Sequence, residues 1–335
     1  MRNLVILFSF LLLTACNQFS TFSSNSDGLQ ASENLSISFS CWNAQTFFDS
    51  ECDGTEYEDF QNLAKWSQEK YLTRLSRLCE VMTALDTDIV VLEEIENVSV
   101  VQDIANQFAG NNWSHGKNWS YACFAKEEGS AIGCAVFSKY QLGEMKVHSM
   151  NIKTQSQDQP SSRPLIQVSV LLENKNLVIF ANHWKSKSSG EKASEIWRDW
   201  QESLLSRLLN EYSESTDNPQ VVLCGDFNRD INDFVHKKNN VYLRNAGCGT
   251  TSTVTVNSPW YNSTGGYTTE TGSYYYQNQW ERIDHIFVYG NIKVLSFSPC
   301  CQEPFAFQDK TPYAYHISSD SGYSDHLPVK AVIKL

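Results

Sequence analysis

The stretch PQVVLCGDFN (219–228) is an apolar run that ends abruptly in polar residues. The apolar part predicts a buried strand, and Asp226 and Asn228 follow it directly. Upstream, LVIFANHW (177–184) has the same design, and an amphipathic helix is predicted over Glu191–Tyr212 between the two stretches. This order of strand, helix and strand predicts a rigid scaffold that presents its polar residues where strands end.

The same pattern extends along the rest of the chain. A second helix is predicted over 70–85, where apolar residues recur at helical spacing, and it ends before the buried strand IVVL (89–92). The polar and aromatic stretch 249–280 is expected to form an irregular loop or hairpin beside the site. Further strands are predicted at 35–43, 163–172, 281–290 and 329–335. Many strands with few covering helices indicate a layered α+β sandwich in one domain over 36–335.

Residues 1–15 have the layout of a secretory signal, in which Arg2 precedes a short apolar run. The segment LTAC (13–16) resembles a bacterial lipobox, which implies removal of residues 1–15 and lipidation of Cys16. An ordinary signal peptide with an incidental cysteine is the alternative. Residues 16–35, rich in serine, asparagine and glutamine, are predicted to be a flexible tether. We therefore expect an exported, membrane-anchored lipoprotein that is periplasmic or on the cell surface.

The chain is acidic, with a net charge of −12 that becomes −13 when Arg2 is removed with the signal (−12 − 1). Such a protein gains nothing from long-range attraction to nucleic acid or anionic lipid. A bound divalent metal is then the expected positive charge for a phosphate substrate. Nine of the ten cysteines remain besides Cys16 (10 − 1), so at least one is unpaired within the chain. Cys41 and Cys224, in predicted strands, are expected to be reduced core residues.

Six strand-end motifs concentrate the polar residues: WNAQ (42–45), VVLEEIEN (90–97), NHWKSK (182–187), LCGDFN (223–228), RIDHIFV (282–288) and SDHLPV (324–329). Taken singly, each is better explained by a turn, a cap or an ion pair. Together they supply two imidazoles, His183 and His326, for proton transfer. They also supply oxygen ligands of the kind that Mg²⁺, Mn²⁺ or Ca²⁺ prefers, namely Asn43, Glu94, Asp226, Asn228 and Asp325. A metal and two imidazoles suffice for phosphodiester hydrolysis.

In order and spelling, these motifs resemble those of the endonuclease/exonuclease/phosphatase superfamily over residues 36–335. Two details resemble its bacterial exported endonuclease branch: NHWKSK followed by a helix with Arg198, and GSYYYQNQWERIDHIFV (272–288). The resemblance implies a DNase-I-like fold, which is a four-layered α/β sandwich of two packed mixed β-sheets covered by helices.

The resemblance also implies a role for each matching residue. His326 is expected to act as general base, held in its tautomer by Asp284, while His183 contacts the scissile phosphate or assists the leaving oxygen. Asp226 and Asn228 are expected to orient the nucleophile and hold a phosphate oxygen. The implied metal ligands are Asn43, Glu94 and Asp325, with Glu94 chosen over Glu93 and Glu96. The best candidates for phosphate contacts are Arg163 and Lys185.

Some positions depart from the family pattern or stay open. Glu93 stands where the family usually has glutamine, which is expected to add negative charge beside the metal. Gln45 stands where some relatives have an acid, which leaves a second metal position in doubt. Lys187 is equally compatible with a phosphate contact and with solvated surface. The aromatics Trp260, Tyr261, Tyr267 and Tyr274–Tyr276 are expected to form a hydrophobic mini-core, with base stacking as the alternative.

We therefore expect a divalent-metal-dependent phosphodiesterase that uses Mg²⁺, with Mn²⁺ or Ca²⁺ as alternatives. The expected substrate is DNA or RNA, and the expected protein is a monomeric nuclease held at a membrane by its lipid anchor. A sphingomyelinase-like enzyme for lipid headgroups is one alternative, although no apolar hairpin suited to entering a bilayer is present in the sequence. A non-catalytic surface-binding lipoprotein is the other, although the chain retains both histidines and their acids.

Overall fold

The computed structural model describes residues 6–9, 35–62, 64–109, 119–152, 159–173, 175–247 and 250–335. Apart from residues 6–9 and Leu35, the predicted signal peptide and tether lie outside the described residues, as does Cys16. None of the helices in the described part is long and apolar enough to cross a membrane.

The described elements are mostly strands. In chain order they are β1 Ile6–Ser9, β2 Ser36–Phe47, β3 Ile89–Ile95, β4 Tyr121–Ala125, β5 Gly133–Ser138, β6 Leu142–His148, β7 Leu165–Leu172, β8 Lys175–His183, β9 Gln220–Asp226, β10 His236–Lys237, β11 Asn240–Gly247, β12 Thr250–Asn257, β13 Tyr274–Tyr276, β14 Gln279–Glu281, β15 Asp284–Gly290, β16 Lys293–Pro299 and β17 Val329–Lys334. The helices are α1 Glu58–Gln61, α2 Gln68–Leu85, α3 Val98–Ala109 and α4 Glu191–Glu214, with short 3₁₀ turns at Lys187–Ser189 and Ile231–Asp233.

These strands form two large mixed sheets. The first sheet has the order β1-β4-β5-β3-β2-β17-β16, and the second has the order β10-β11-β12-β15-β9-β8-β7-β6. Each contains one parallel pair, β2 with β3 and β8 with β9, among antiparallel neighbours. A separate hairpin pairs β13 with β14. The parallel pairs bring the carboxyl ends of their strands to one edge of each sheet.

The two sheets pack face to face, and helices cover their outer faces. Along β3, Ile89 and Val91 belong to the core between the sheets, whereas Val90 and Leu92 pack with α2 and α3. Both faces of this strand are therefore buried, which explains its uninterrupted apolar run. On the second sheet, Leu205 of α4 joins the core together with strand residues. The result is four layers: helices, sheet, sheet and helix.

Helix α2 shows how the local sequence fixes an element. The side chain of Ser67 accepts the backbone N–H of Lys70 at 3.4 Å and caps the amino end. Leu75, Leu78 and Met82 recur at helical spacing and are buried against the first sheet. The helix ends where Asp86 adopts a left-handed conformation with φ of 46°.

The predicted helices and strands are present, with ends shifted by a few residues. The helix predicted over Glu191–Tyr212 extends to Glu214, and the one predicted over 70–85 begins at Gln68. The expectation of an irregular loop or hairpin over 249–280 was incomplete. That segment contains the hairpin β13–β14 but also β12, which pairs along its whole length with β11. Alternating threonine and valine in β12 favour this pairing.

Candidate active site

The candidate site lies at one edge of the two sheets, where polar residues end neighbouring strands. The parallel pairing of β8 and β9 sets His183 beside Asp226. β15 runs in the opposite direction, so its first residue, Asp284, lies on the other side of Asp226. In the first sheet, Asn43 of β2 lies beside Glu93 of β3. The convergence of these five strands thus gathers residues that are far apart in sequence.

Asp284 and His326 form a buried pair. Nδ1 of His326 lies 2.8 Å from Oδ2 of Asp284. Burial by itself would lower the pKa of His326, but the charge of Asp284 and this hydrogen bond raise that pKa well above its ordinary value. The Ser324 hydroxyl accepts the backbone N–H of His326 at 3.1 Å and donates to the Asn43 carbonyl at 2.6 Å. Because Nδ1 is engaged, Nε2 is the ring nitrogen available for proton transfer.

Asp226 is the centre of a hydrogen-bonded cluster. Its Oδ2 accepts from Nδ2 of Asn43 and from Nδ2 of Asn228, each at 3.0 Å. Burial, and then the charge of Asp284, raises the pKa of Asp226 to about 7. Asp226, Asp284 and His326 each place one side-chain atom within 4.8 Å of the others. Nδ2 of Asn228 also donates to a backbone carbonyl at 3.2 Å, so Asn228 acts here to position Asp226.

Glu94, rather than either neighbouring glutamate, faces this cluster. Its Oε1 accepts from Nδ2 of Asn43 at 3.1 Å, and its Oε2 accepts the backbone N–H of Thr46 at 2.5 Å. Glu94 has a φ of 63° at the point where the pairing of β3 with β5 shifts register. Asn43 therefore joins Glu94 to Asp226, while its own Oδ1 accepts the backbone N–H of Gln45 at 2.9 Å. The role of Asn43 as a metal ligand stays a prediction.

Glu93 points the other way, into the core between the sheets, which corrects the expectation of added charge beside the metal. Its side chain is fully buried, and neither carboxyl oxygen has a hydrogen-bond partner among the described residues. Burial, and then the charges of Asp284 and Asp226, raises the pKa of Glu93 well above its ordinary value, which favours the neutral carboxyl. Alternation alone would place Glu94 on the helix-covered face with Val90 and Leu92, but its left-handed backbone at the register shift turns its side chain towards the site.

His183 is buried beside the carboxylates. Its Nε2 lies 3.7 Å from Oε1 of Glu94 and 3.7 Å from Oδ2 of Asp226. Its Nδ1 has no hydrogen-bond partner among the residues that the structure describes. Burial, and then the charge of Arg163, lowers the pKa of His183 well below its ordinary value. The neutral imidazole keeps one N–H, which can donate to a phosphate or leaving oxygen.

Arg163 and Lys185 supply positive charge at the same edge. The charges of both contribute to the lowered pKa of His183. Burial raises the pKa of Tyr57, a residue that none of the motifs indicates, and the nearby charge of Arg163 lowers it. Lys187, by contrast, is paired with two glutamates at 2.9 and 3.4 Å. Of the two interpretations of Lys187, the structure favours a surface residue in ion pairs.

Two buried arginines fasten the loops of the site to α4. Arg229, which follows LCGDFN, forms an ion pair with the buried Glu202 at 2.5 Å and a second with Asp199 at 2.7 Å. Arg198, within the helix, donates to the carbonyl of Lys185 at 3.1 Å. These contacts hold the segments that follow β8 and β9 against one rigid helix. The positions of the catalytic side chains at both strand ends are thereby restrained.

Glu94 and Asp325 suit a divalent cation. Burial raises the pKa of Asp325, His326 lowers it, and the charge of Glu94 raises it. Two mutually repelling carboxylates gain from a cation, and hard oxygen donors suit Mg²⁺. The residues present therefore fit the implied metal. Oε1 of Gln45 accepts the backbone N–H groups of Asp325 and Tyr315, at 3.0 and 2.8 Å, so this amide orients the Asp325 segment.

The aromatic residues of 249–280 divide into two groups. Trp260 is fully buried and Tyr261 stacks on Tyr267 with centroids 5.3 Å apart, which confirms the mini-core for this group. Tyr274 instead lies with its ring centroid 4.7 Å from that of His326. It stacks on the exposed Tyr276 at 6.2 Å. The expectation of a mini-core was wrong for this second group, which forms an aromatic surface beside the general-base candidate.

The structure gathers the residues that the motifs singled out, by hydrogen bonds or by the effects of their charges on one another: Asn43, Glu94, Arg163, His183, Lys185, Asp226, Asn228, Asp284, Asp325 and His326. Sequence reasoning missed Tyr57, the positioning role of Ser324 and the role of Gln45. Ser324 adjoins Asp325 and His326 in a motif, which was a usable signal, whereas Tyr57 is outside all six motifs.

Comparisons with known proteins identify the family and the fold of this chain. Residues 37–298 match the model of a family described as the Endonuclease/Exonuclease/phosphatase family. A search of curated proteins finds no match. Truncated TDP2 of Caenorhabditis elegans is similar in structure, with a TM-score of 0.58 and 15% sequence identity over 90% of this chain and 98% of that one.

Two further solved structures resemble this chain to a similar degree. The Bacteroides thetaiotaomicron mannosyl-6-phosphatase has a TM-score of 0.53 and 16% identity over 89% of this chain and 99% of that one. The human Nocturnin catalytic domain, with bound sulfate, has a TM-score of 0.53 and 15% identity over 90% and 95% of the two chains. At these identities the likeness shows the fold, and it confirms the predicted DNase-I-like α/β sandwich.

Proposed function

Because the chain belongs to the endonuclease/exonuclease/phosphatase family, whose members are hydrolases of phosphoester bonds, we propose that it is a divalent-metal-dependent phosphodiesterase and specifically a nuclease for DNA or RNA. The observation that supports this most is the buried Asp284–His326 pair at 2.8 Å, together with Asp226 within the same 4.8 Å cluster. An imidazole backed by a carboxylate beside a second acid is suited to activating water for attack on phosphorus.

In this mechanism, the oxygen of a water molecule attacks phosphorus in line with the leaving oxygen. His326 takes the proton of the attacking water, and Asp284 stabilises the resulting imidazolium, consistent with the raised pKa of His326. Asp226, fixed by Asn43 and Asn228, orients the water. As the bond to the leaving oxygen breaks, the neutral imidazole of His183 donates a hydrogen bond to that oxygen.

Glu94 and Asp325 would hold the divalent cation, which would compensate the negative charge that develops on the phosphate. Family enzymes generally use divalent metals, and we propose Mg²⁺ for this chain. The two proposed ligands are carboxylate oxygens, which favour Mg²⁺ over metals that prefer thiolate.

The aromatic and basic residues around the reacting groups favour a nucleic acid substrate over a simple phosphomonoester. Tyr274 and Tyr276 stack beside His326, and an exposed aromatic surface can accept an unstacked base. Arg163 and Lys185 lie on the same edge as His183 and can contact flanking phosphates. The proposal also places the protein outside the cytoplasm, as a monomer anchored through lipidated Cys16, on the basis of residues 1–16 of the sequence.

The direct test adds the purified chain from residue 17 onward to supercoiled plasmid with Mg²⁺. We expect nicking that EDTA abolishes and that His326→Ala removes, while His236→Ala, a change of an exposed histidine on β10, leaves it intact. If the plasmid stays intact while sphingomyelin is cleaved, the assignment of the site would stand, but the proposed nucleic acid substrate would be wrong. Absence of hydrolysis on nucleic acid, sphingomyelin and a simple bis-phosphodiester would overturn the enzymatic proposal.

A further inference from the structure

A second group of acids lies in the segment that joins β2 to α1. Asp53 and Glu56 of this segment meet Glu96, which follows β3, and the three place one carboxylate oxygen each within 4.8 Å of one another. Glu56 and Glu96 are buried, with 5% and 1% of their surfaces exposed. None of the three takes part in the mechanism proposed above.

Glu96 provides the observation that points to a ligand. Its Oε2 accepts the backbone N–H of Asp49 at 2.6 Å. Its Oε1 is buried and has no hydrogen-bond partner among the described residues. A buried carboxylate oxygen without a donor loses the hydration it had in the unfolded chain and gains nothing in return. This oxygen belongs to the carboxylate that completes the cluster, so a cation there would satisfy it.

The charges of the other two acids strengthen the case. Oε1 of Glu56 accepts the backbone N–H of Asp53 at 2.5 Å, and Oε2 accepts that of Gly54 at 2.9 Å. These two hydrogen bonds fix the carboxyl group of Glu56 in place within the segment. Hydrogen bonds from Thr55, and then the charge of Lys126, lower the pKa of Asp53, whereas burial raises the pKa of Glu96 to about 8 although the charge of Lys126 opposes this. One lysine facing three acids leaves a negative charge that a divalent ion would neutralise.

We propose that Asp53, Glu56 and Glu96 bind one Ca²⁺ ion, separate from the metal of the active site. The donors are oxygens only, and Ca²⁺ accepts the irregular geometry that an open loop offers, whereas Mg²⁺ requires near-ideal octahedral ligands. Within this segment Asp53 is followed by Gly54, which permits a sharp turn directly after the proposed ligand. Gly54 has a φ of 88°, the left-handed conformation needed for such a sharp turn.

The position of this site gives it a role in shaping the cleft. The segment with Asp53 and Glu56 continues directly into Tyr57, which is close enough to Arg163 of the candidate active site for that charge to lower its pKa. The ring of Tyr57 packs edge-on against Phe48 with centroids 5.4 Å apart. On the other side, Glu96 is two residues beyond Glu94. A Ca²⁺ ion that joins this segment to the end of β3 would therefore hold Tyr57 and the residues after Glu94 in place beside the candidate active site.

Terbium luminescence of the full chain tests the site, because Tb³⁺ replaces Ca²⁺ at oxygen sites and nearby indoles sensitise its emission. Trp66 is suited to this purpose, since its indole N–H donates to the carbonyl of Asp49 in the segment that joins β2 to α1. We expect Tb³⁺ emission that Ca²⁺ at about 1 mM displaces and Mg²⁺ at the same concentration does not. Asp53→Asn should weaken the Ca²⁺ competition at least about tenfold.

Two control variants separate this site from others. Asp309→Asn changes an exposed carboxylate in another loop, and Glu94→Gln changes the proposed metal ligand of the active site. Both should retain the terbium signal and its displacement by Ca²⁺. A signal lost in Glu94→Gln but unchanged in Asp53→Asn would assign the emission to the active site and overturn the proposal.

Thermal unfolding supplies an independent readout. Ca²⁺ should raise the midpoint of the original chain by a few degrees or more, and Asp53→Asn should remove that shift. The remaining explanation for the unpaired oxygen is a proton on Oε1 of Glu96. The variant Glu96→Gln tests this explanation. If the original chain binds neither Tb³⁺ nor Ca²⁺ and Glu96→Gln unfolds at the same temperature, the proton suffices and the calcium site is refuted.

Discussion

At the scale of single residues, the site depends on acids that differ in surroundings rather than in type. Asp284 is buried against His326, Asp226 accepts from two asparagines, and Glu93 is buried without partners. Burial, and then the charge of Asp284, raises the pKa of Asp226 to about 7 and that of Glu93 well above its ordinary value. Sequence motifs identify such acids, but the pKa values follow from burial and from neighbours that only the fold brings near.

Replacing Asp284 by asparagine tests the pair directly. Asp284→Asn keeps the shape but removes the charge that stabilises the imidazolium of His326, so we expect kcat to fall on the order of 10³-fold. KM should change much less, because Asp284 is buried behind the histidine. Initial rates of plasmid nicking over a range of substrate concentrations measure both constants. A loss of less than about fivefold in kcat would show that the pair is not the general base.

His285, which follows Asp284 in the sequence, makes the free energy of unfolding depend on pH. Its Nε2 donates to the carbonyl of Arg229 at 2.9 Å, its ring is stacked on Phe287, and burial lowers its pKa to about 4. In the unfolded chain the pKa is about 6.5, so the stabilisation is complete above that pH and is lost as the pH falls towards 4. We expect a loss of about 2 kcal/mol in unfolding free energy between pH 7 and pH 5 from this group.

Urea unfolding at the two pH values, followed by circular dichroism, isolates this contribution. His285→Gln should lose about 2 kcal/mol less between pH 7 and pH 5 than the original chain does. His236→Gln, at an exposed position, should show the full loss. Equal pH dependence in His285→Gln and the original chain would contradict the assignment.

At the scale of elements, β9 shows why the glycine in LCGDFN is required. Gly225 has a φ of 122°, and a Cβ there would lie 2.0 Å from the carbonyl oxygen of Asn182 and 2.9 Å from Oε1 of Glu93. Neither the backbone of the adjacent strand β8 nor the buried glutamate can withdraw. The absence of a side chain lets β8 and β9 approach just before His183 and Asp226, where the site begins.

Gly225→Ala should therefore destabilise the protein by about 3 kcal/mol or more, measured as the change in unfolding free energy in urea. The matched control is Gly129→Ala, since Gly129 also has a positive φ, 75°, but nothing within 4 Å of the added Cβ. Strain alone at Gly129 should cost about 1 kcal/mol. Equal losses in the two variants would show that the close approach at β9 is unimportant.

The elements themselves were largely predictable from periodicity. Buried runs such as IVVL and VVLC, and the leucine spacing of α2, indicated strands and helices within a few residues of their ends. β12 was missed because it is mostly polar and rich in threonine, and an irregular loop can have the same composition. Its assignment depended on pairing with β11, a tertiary contact.

At the scale of the whole molecule, acidity limits how the protein can bind a polyanion. The net charge is −12, and the cations placed at the site are Arg163 and Lys185, since Lys187 is paired with glutamates. Binding of nucleic acid should therefore release few counterions. For two phosphate contacts, the logarithm of the binding constant should fall with the logarithm of salt concentration with a slope of about −1.8.

Fluorescence anisotropy of labelled DNA with the His326→Ala variant, over a series of salt concentrations, measures this slope. Adding Lys185→Ala should make the slope shallower by about one, and adding Lys187→Ala should leave it unchanged. A slope steeper than about −4 would mean that a basic surface other than this edge binds the substrate.

The cysteines also show that the chemical state of a residue depends on the whole fold. The eight cysteines of the described part are free, and six of them, Cys41 and Cys224 among them, are buried. The expectation that those two are reduced core residues is confirmed. Burial raises the pKa of both thiols well above the ordinary value, so they behave as small apolar side chains.

The sequence by itself determined the family and the layered fold and indicated the candidate site residues, because apolar periodicity and six ordered motifs are local properties of the chain. The tertiary structure alone decided which of two adjacent glutamates faces the site, which aromatics lie beside His326, and that Tyr57 lies near Arg163. These depend on strand direction, register and packing between sheets. Such properties arise from contacts between distant segments, so no single stretch of sequence contains them.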